Sequence, residues 1–249
     1  MSLYSVLQWL YLGWIDIKGR YRRTVLGPFW LVATTFLSIA MMGVIYSSIF
    51  KVEINEFIPY IAAGIVAWYF ISGVIMESCN GLISNKFLLL SKPIPIFLIN
   101  VRILSRHLII FLHNMIVLIL CLLYFGQLQN VLIFPTILGI IINCVIVITL
   151  GIFLSLICAR FRDVVQVVTS LMNILFLITP IVWNKKVLES RDYLAEWNLF
   201  SHLVDLIRSP LLGQVPSIES YMISFAFFVF ILLLAYTSSR KLRNFMYWL

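Results

Sequence analysis

Charged residues are scarce in this sequence: they make up 11% of its 249 residues, whereas apolar residues make up 62%. A soluble domain is usually about 45–50% apolar and roughly a quarter charged. A single chain of this size cannot bury such an excess of apolar side chains in its own core. The composition therefore excludes an ordinary soluble domain and indicates a polytopic membrane protein.

Cysteine is also rare, and its positions fit no type of disulfide or metal site. The four cysteines form no CxxC motif and no Cys/His spacing, and all of them lie in apolar surroundings. The sequence therefore speaks against a disulfide framework and against a structural zinc site. The cysteines stand at positions 79, 121, 144 and 158.

The motifs of membrane enzymes are absent as well. The chain contains no HExxH, GxSxG or DxD motif and only three histidines. His202 and Asp205, three residues apart, could share a helical face, and we interpret them as a surface contact on an outer helix. Glu77, at the inner end of a span, could pair with Arg102 or Arg106. We therefore expect no catalytic site on this chain.

An energy source is missing too. No Gly is followed by Lys, so the P-loop motif GxxxxGK[ST] does not occur, and we expect no cofactor on this chain. The interiors of the apolar stretches lack the ionisable residues that ion-coupled transporters place there. We expect any active transport to be powered by a separate subunit that binds ATP and Mg²⁺. A passive or scaffolding role fits the same absences.

Long charge-free stretches define the membrane spans, since a spanning helix needs about 20 mainly apolar residues. Residues 107–159 would form a helix about 80 Å long, far more than a bilayer of ~30 Å. A polar break around Gly126 and Gln127, followed by Pro135, divides this stretch in two. No segment alternates strictly enough for a membrane barrel strand. The predicted spans are 24–50, 57–78, 103–124, 131–158, 164–183 and 220–239.

The distribution of basic residues predicts the orientation of these six transmembrane helices. With both termini in the cytoplasm, 13 of the 18 basic residues fall in cytoplasmic segments, as the positive-inside rule requires. The net charge of +8 is mostly this bias, so we expect no nucleic-acid partner. The predicted fold class is an all-α polytopic membrane protein with cytoplasmic N and C termini.

Residues 1–19 are predicted to form an amphipathic interface helix on the cytoplasmic surface. The stretch is too short to span a bilayer, and it is rich in the aromatic residues that favour membrane interfaces. Its basic residues follow the apolar run, which is the reverse of the order in a signal peptide. A membrane anchor without a partner is the alternative. The aromatic residues are Tyr4, Trp9, Tyr11 and Trp14.

The segment 184–219 is predicted to lie on the outer side, between spans five and six. Leu199, Leu203 and Leu206 recur at helical spacing after Asn198, a possible helix cap, and before Pro210. We expect one or two short re-entrant helices that dip into the outer leaflet and form a gate-like segment.

Several short segments, taken in order, carry a resemblance to a known family. The segments are Arg20–Trp30, Ala67–Phe70, Asn80–Asn85 leading to Lys92 and Pro93, Ala159–Asp163, Thr179–Trp183 and Ile207–Gly213. With these segments the chain resembles the membrane (permease) subunit of bacterial ABC exporters for cell-surface polysaccharides, of the ABC-2 superfamily, which handle O-antigen, capsule or teichoic acid. The resemblance covers essentially the whole chain, 1–249, as a single transmembrane domain.

The resemblance implies a function and a set of partners. It implies a homodimer that binds two copies of a cytoplasmic ABC ATPase and moves lipid-linked polysaccharide across the bacterial inner (plasma) membrane, through an aromatic-lined channel. The chain itself would be a multi-pass transport subunit and not an enzyme. An ABC-2 exporter of a drug or small lipid is an alternative. A polytopic glycolipid-modifying enzyme is another, and it would use His202 with Asp205 or Glu77 with Arg102.

The resemblance also implies three groups of site residues. Its ATPase contacts are the N-terminal helix, here 4–18, and the inner loop, here about 81–96, with the candidates Gln8, Asp16, Asn80, Ser84, Asn85, Lys86 and Lys92. A pivot at the lipid headgroups would consist of Arg20, Arg22 and Arg23, for which ordinary contact with anionic lipid is the alternative. The channel-lining candidates on spans one and five are Trp30, Phe36, Tyr46, Phe176 and Trp183, which could instead face lipid or form interfacial belts.

Overall fold

The computed structural model describes residues 3–22, 27, 29–91, 94–183 and 196–241, and in these ranges the regular secondary structure is helical. A single 3₁₀ turn, Leu128–Asn130, interrupts the loop between α6 and α7 in the described part of the chain. The helices are α1 (Leu3–Tyr21), α2 (Phe29–Phe50), α3 (Ile54–Cys79), α4 (Gly81–Ser84), α5 (Lys86–Ser91), α6 (Ile96–Tyr124), α7 (Ile133–Arg160), α8 (Asp163–Ile178), α9 (Leu199–Leu211) and α10 (Ile218–Lys241).

Five of these helices, α2, α3, α6, α7 and α10, are long and apolar enough to cross a membrane. The expected all-α membrane protein is thereby confirmed for the described residues. The fifth predicted span, 164–183, corresponds to α8, which is apolar but has only 16 residues. At ~1.5 Å per residue α8 is about 24 Å long, shorter than a bilayer core of ~30 Å.

Helix α3 is the centre of the bundle. It contacts α2, α6, α7, α8 and α9, and its side chains from Phe57 to Ile75 are almost all buried or half-buried. A helix that is apolar on every side must be surrounded by other helices, which is the position that α3 occupies. Tyr69 is the one clearly exposed side chain in this run.

The bundle has two chemically different ends. The basic end comprises α1, α4, α5, the last turns of α3 and α7, and the first turns of α6 and α8, and it carries Lys18, Arg20, Arg22, Lys86, Arg102, Arg106, Arg160 and Arg162. The far end comprises the turn 51–53, the loop 125–132, residues 179–183, the end of α9 and the start of α10. Its charged residues in the described part of the chain are Lys51, Arg208, Glu53, Glu56, Asp205 and Glu219.

Helix α9 lies inside the bundle and not on its surface. The amide N–H of Phe200 donates to the side chain of Asn198 at 3.0 Å, so the expected cap is present. The Phe200 ring packs edge-on against Trp68 at 5.8 Å between centroids. Trp68 lies fourteen residues beyond the start of α3, about 21 Å along that helix. Helix α9 therefore runs from the middle of the bundle to the far end.

The close approach of α9 to α7 depends on a glycine and a proline. The helix continues through Pro210 to Leu211, whereas the sequence pattern predicted that it would end before the proline. Because Pro210 has no N–H, the carbonyl of Leu206 lacks its usual intrahelical donor. A Cβ on Gly139 would lie 1.9 Å from this carbonyl oxygen, so only glycine allows the contact.

The prediction that His202 and Asp205 form a contact on the protein surface is wrong. His202 is only 4% exposed, because α9 is packed on most of its sides. Its Nδ1 lies 3.0 Å from the hydroxyl of Ser220, and its Nε2 lies 2.8 Å from the carbonyl oxygen of Glu196. Asp205 instead pairs with Arg208, so this histidine and this carboxylate do not form an acid–base pair.

Candidate functional site

At the basic end, α1 is docked closely on α6. The hydroxyl of Ser105 donates to the carbonyl of Leu10 at 2.8 Å. Gly13 faces the same serine, and a Cβ at this position would lie 1.8 Å from Ser105 Oγ and 3.0 Å from the carbonyl oxygen of Arg102. The short distance between the two backbones therefore requires glycine at position 13.

An ionic cluster joins α1 to α6 and α3; we define it as Asp16, Arg102, Arg106, Glu77 and His107. Asp16 accepts two hydrogen bonds of 2.6 Å from Arg102 and one of 2.5 Å from Arg106. Arg106 also lies 2.5 Å from the carboxylate of Glu77. The expected pairing of Glu77 with one of these two arginines is therefore confirmed, and the partner is Arg106.

Histidine completes the ionic cluster on the side of α3. His107 Nε2 lies 2.7 Å from Glu77 Oε2. The ring of His107 lies directly over Gly73, where a Cβ would come within 2.6 Å of it. The cluster thus ties α6 to α3 through Glu77 and ties α6 to α1 through Asp16, so the three helices share one hydrogen-bonded unit.

The arginines hold Asp16 in its charged form. Partial burial alone would raise the pKa of Asp16, but the hydrogen bonds and positive charges of Arg102 and Arg106 outweigh burial and leave the pKa below its ordinary value. The carboxylate is therefore ionised at neutral pH, and both arginines keep a counter-charge.

The predicted ATPase contacts gather at the basic end, but they differ in exposure. Gln8, Asn80 and Ser84 are exposed, and Lys86 is half-buried at the start of α5. The amide of Asn85 donates to the carbonyl of Gly81 at 2.8 Å and so stabilises the turn between α4 and α5. Asp16 is held in the ionic cluster, and Lys92 lies outside the described residues. Their contact with an ATPase stays a prediction.

The predicted headgroup pivot follows α1 directly. Arg20 and Arg22 are exposed at the end of this helix, whereas Arg23 lies outside the described residues. Their exposure on one end of the molecule is compatible with contact to anionic headgroups. This role also stays a prediction.

The predicted channel-lining aromatics do not meet on one surface within a single chain. Trp30 and Phe36 are exposed on α2, where Phe36 lines an apolar groove between α2 and α6. Tyr46 stacks on a neighbouring ring of its own helix. Phe176 packs against Trp68 at 5.9 Å, and Trp183 Nε1 donates to the carbonyl of Leu177. A common channel would therefore need surfaces from more than one chain.

The sequence analysis missed a line of polar residues on α8, which we call the polar stripe. It consists of Gln166, Ser170 and Asn173, spaced by four and three residues and all exposed. This spacing puts them on one helical face, and it was visible in the sequence as three polar residues in an otherwise apolar segment. Asn173 lies about 15 Å along α8 from Asp163, beyond the middle of this helix.

A second polar group lies on α2 and α3. Thr34 and Ser38 are exposed or half-buried, and their hydroxyls donate to carbonyls one turn back in α2. The hydroxyl of Tyr69 lies 3.4 Å from Ser38 Oγ. Together with the polar stripe of α8, these residues give the described part of the chain hydrogen-bonding groups on the outer surface of the bundle.

Helix α8 ends at Ile178, inside the bundle, and the chain continues without helical hydrogen bonds through Thr179–Trp183. Non-helical backbone at this depth is tolerated only where protein satisfies its polar groups. Here the Tyr60 hydroxyl donates to the carbonyl of Pro180 at 3.0 Å and lies 3.3 Å from the carbonyl oxygen of Trp183. Arg208, which is 4% exposed, donates to the Pro180 carbonyl as well.

Arg208 is itself surrounded by compensating groups. It pairs with Asp205 one turn earlier in α9, and its guanidinium lies 4.3 Å from the centroid of the Tyr60 ring. A buried cation needs such partners because its desolvation is costly. Arg208 and Tyr60 thus connect α3, α9 and the segment after α8 at the far end.

The fold and these sites define a polytopic helical membrane protein with a docked interface helix at its basic end. Residues 7–212 match the family described as ABC-2 type transporter, and the chain belongs to this family. It is a multi-pass protein of the inner membrane.

Among curated proteins, the chain is similar to the O-antigen export system permease protein RfbA of Myxococcus xanthus. The two are 23% identical over 174 residues. The match covers 68% of this chain and 65% of the relative, so the chain spans about two thirds of the relative's length.

Proposed function

We propose that this chain is the transmembrane subunit of an ATP-driven exporter that moves lipid-linked cell-surface polysaccharide across the bacterial inner membrane. It would act as a homodimer bound to two copies of a cytoplasmic ABC ATPase. Membership in the ABC-2 type transporter family and the similarity to an O-antigen export permease support this proposal.

The observation that carries the proposal is the polar stripe of α8. Moving an amide or hydroxyl group from water into hydrocarbon without a hydrogen-bond partner costs several kcal/mol, about 4–8 on a cyclohexane scale. The side chains of Gln166 and Asn173 form no hydrogen bond with the described residues, although Asn173 lies at membrane depth. A surface of this kind favours contact with a second subunit or with a hydrated route, and disfavours contact with lipid.

A sugar chain requires a surface of this composition. Its many hydroxyls need hydrogen-bonding partners throughout the crossing, and its C–H faces pack on aromatic rings. Two copies of α2, α3 and α8 would supply amides and hydroxyls together with the rings of Trp30, Tyr69 and Phe176. The aromatic residues that lie apart in one chain would then belong to a shared channel.

The orientation follows from the charges. The positive-inside rule puts the basic end, with α1 and the predicted ATPase contacts, in the cytoplasm. The far end then faces outward, α8 completes a sixth crossing together with residues 179–183, and α9 becomes a re-entrant helix that reaches the level of Trp68 from outside.

Energy would enter through α1. An ATPase that moves α1 or the α4–α5 segment would displace α6 through Arg102 and displace α3 through Arg106 and Glu77. Since α3 contacts α2, α8 and α9, the ionic cluster offers a direct path from the ATPase to the elements that would form the channel.

The test is co-purification and transport. The chain expressed with its operon neighbours should copurify with a P-loop ATPase in equal amounts, and the complex in vesicles should move lipid-linked glycan inward when ATP is supplied outside. Repeated isolation of the chain alone, or ATP-independent flux, contradicts the proposal.

The polar stripe provides matched variants for this assay. We expect Asn173→Leu and Gln166→Leu to keep the thermal stability of the complex and to lower flux at least several-fold, because they remove hydrogen-bonding groups from the route. Leu171→Ala, at an exposed apolar position of the same helix, is the control. Equal flux in all three variants would remove α8 from the proposed channel.

A further inference from the structure

The far end also contains a polar cavity, which shares only Tyr60 with the contacts described above. It has a volume of about 390 Å³, which is within the range of small-molecule pockets, about 300–1,000 Å³. It lies where the start of α3, the loop before α7 and the loop after α9 meet. The residues that line it are Val52, Glu56, Phe57, Tyr60, Gln127, Asn130, Leu212 and Gln214.

The walls of this cavity are fixed by hydrogen bonds between the two loops and α3. The amide N–H of Leu132 donates to the carbonyl of Pro210 at 2.9 Å. The side-chain amide of Gln127 donates to the carbonyl of Asn55 at 3.1 Å. Gly213, at a positive φ of 80°, lies so close to Asn130 that a Cβ would come within 2.9 Å of it. The cavity is therefore a preformed feature of the fold.

One wall is aromatic and also fixed in place. The Tyr60 hydroxyl donates to the Pro180 carbonyl, and its ring stacks against the guanidinium of Arg208, so the ring cannot rotate freely. The Phe57 ring lies nearly parallel to it, at an interplanar angle of 11° with centroids 6.5 Å apart. A half-buried, immobilised ring of this kind offers an apolar surface at the mouth of a polar cavity.

The polar side chains in the cavity still have hydrogen-bonding capacity. Within the described residues, the side chains of Glu56, Asn130 and Gln214 form no hydrogen bonds, and Gln127 uses only one of its amide hydrogens. An amide both donates and accepts, and a carboxylate accepts at two oxygens. Such a set matches the hydroxyl groups of a sugar, each of which donates one hydrogen bond and accepts others.

The charge of the lining narrows the class of ligand. Among the described residues that line the cavity, Glu56 is the one that carries a charge, and none of them is a lysine or an arginine. Arg208 stacks on Tyr60, but its charge is compensated by Asp205. Phosphates and uronic acids would therefore meet a negative charge without a cation to bind them.

We infer that this cavity is a subsite for an uncharged or amino sugar at the far end of the protein. The role of this subsite rests on the proposed function, because the sugar would belong to the glycan that emerges from the channel. The cavity would hold the chain after passage, and it would favour neutral glycans over chains with phosphodiester linkages or uronic acids.

The test measures sugar binding by the intact complex of permease and ATPase in nanodiscs. Saturation-transfer NMR with mannotriose, chitotriose, trigalacturonic acid and glycerol phosphate as probes compares neutral, amino-sugar and anionic ligands. We expect a saturation-transfer signal for mannotriose and chitotriose and none for trigalacturonic acid and glycerol phosphate. Asn130→Ala and Gln214→Ala should each weaken the binding by about fivefold, the effect of one lost hydrogen bond.

The matched control is Gln129→Ala, since Gln129 is exposed on the same 3₁₀ turn as Asn130 but is not among the residues that line the cavity. A further variant, Glu56→Gln, should keep mannotriose binding and admit trigalacturonic acid. Unchanged binding in Asn130→Ala and Gln214→Ala, or equal binding of all probes by the parent protein, overturns the inference.

Separate readouts distinguish failure of the subsite from failure of the proposed function. A complex that transports lipid-linked glycan, but binds mannotriose equally well in Gln214→Ala and Gln129→Ala, refutes the subsite alone. A complex that shows the expected binding differences but no ATP-driven flux supports the subsite and refutes the exporter. Thermal unfolding of each variant confirms that the fold is retained.

Discussion

Arg102 binds Asp16 in a bidentate arrangement: Nε and Nη2 of its guanidinium each donate to one carboxylate oxygen at 2.6 Å. A two-fold contact of this kind fixes direction as well as distance. The position of α1 is therefore set by protein contacts with α6, and not only by the depth at which its aromatic residues enter the membrane interface. An ATPase that displaces α1 would therefore also displace α6, to which α1 is bound.

The first prediction concerns the carboxylate in this contact. Asp16→Asn removes the charge and leaves Arg102 and Arg106 without their counter-ion on α1. Hydrogen bonds to charged groups contribute about 1.5–3 kcal/mol, and the remaining exposure of Asp16 lowers this, so we expect a loss of about 1–2 kcal/mol in docking. Backbone amides of α1 should exchange hydrogen about tenfold faster.

Gln8→Ala is the matched control for Asp16→Asn, because Gln8 is exposed on the same helix. It should leave hydrogen exchange of α1 unchanged and weaken binding of the ATPase if Gln8 is a contact. Unaltered exchange in Asp16→Asn would mean that the ionic cluster does not hold α1.

The second prediction compares two glycines of α1. Gly13→Ala puts a Cβ into the position of the Ser105 hydroxyl, whereas a Cβ at Gly19 has no neighbour within 4 Å. We expect Gly13→Ala to separate α1 from α6, to lower the apparent melting temperature and to reduce ATP-driven transport several-fold. Gly19→Ala should be neutral or stabilise α1 by up to about 1 kcal/mol. Equal effects of both changes would contradict the close packing.

The third prediction is a pH dependence of α1 docking. Since the folded-state pKa of Asp16 is lowered, its contribution is complete above the unfolded pKa, about 3.9, and is lost as the pH falls through the folded value. The facing groups Arg102 and Arg106 stay charged throughout. A spin label at position 8 should report constant docking from about pH 8 to 5 and release only at a pH below the ordinary pKa of an aspartate. The same transition in Asp16→Asn would assign it to Glu77.

The sequence predicted the elements of the fold better than their contacts. Apolar length located the long helices, because membrane solvation acts on each segment independently. The cap at Asn198 was also predicted, since it depends on residues next to it. The contact between Asp16 and Arg102 joins residues 86 positions apart, and no local pattern specifies such a pair.

The end of α8 shows a second feature that could be predicted from the sequence only in part. The predicted span extended to 183 because the segment stays apolar, although Pro180 already indicated a break: a residue before proline avoids the α conformation. The sequence does not reveal that Tyr60 and Arg208 donate hydrogen bonds to the Pro180 carbonyl, which has no helical partner. That compensation depends on α9 lying inside the bundle, which follows from tertiary packing.

The fourth prediction tests this compensation at the far end. Arg208→Met removes the cation that pairs with the buried Asp205 carboxylate and removes a donor from the Pro180 carbonyl. Breaking a buried ion pair on one side costs about 3–5 kcal/mol, so we expect a clear drop in thermal stability. The double variant Asp205→Asn with Arg208→Met should recover part of the loss, because no charge remains. The melting temperature of the purified protein in detergent is measured for both variants. An unchanged melting temperature in Arg208→Met would contradict the stabilising role of Arg208 at the far end.

The fifth prediction concerns the crossing of α7 and α9. Gly139→Ala would bring a Cβ within 1.9 Å of the Leu206 carbonyl oxygen, which belongs to the backbone and cannot turn away. The two helices must move apart, and overpacking of this kind costs about 1–3 kcal/mol. Ile137→Ala, at an exposed position of the same helix, is the control and should change stability little. Because α9 also holds Phe200 against Trp68, we expect Gly139→Ala to increase quenching of Trp68 fluorescence by lipid-soluble probes in a variant whose other tryptophans are replaced by phenylalanine. Unchanged stability and quenching would show that α9 is not packed against α7 at this glycine.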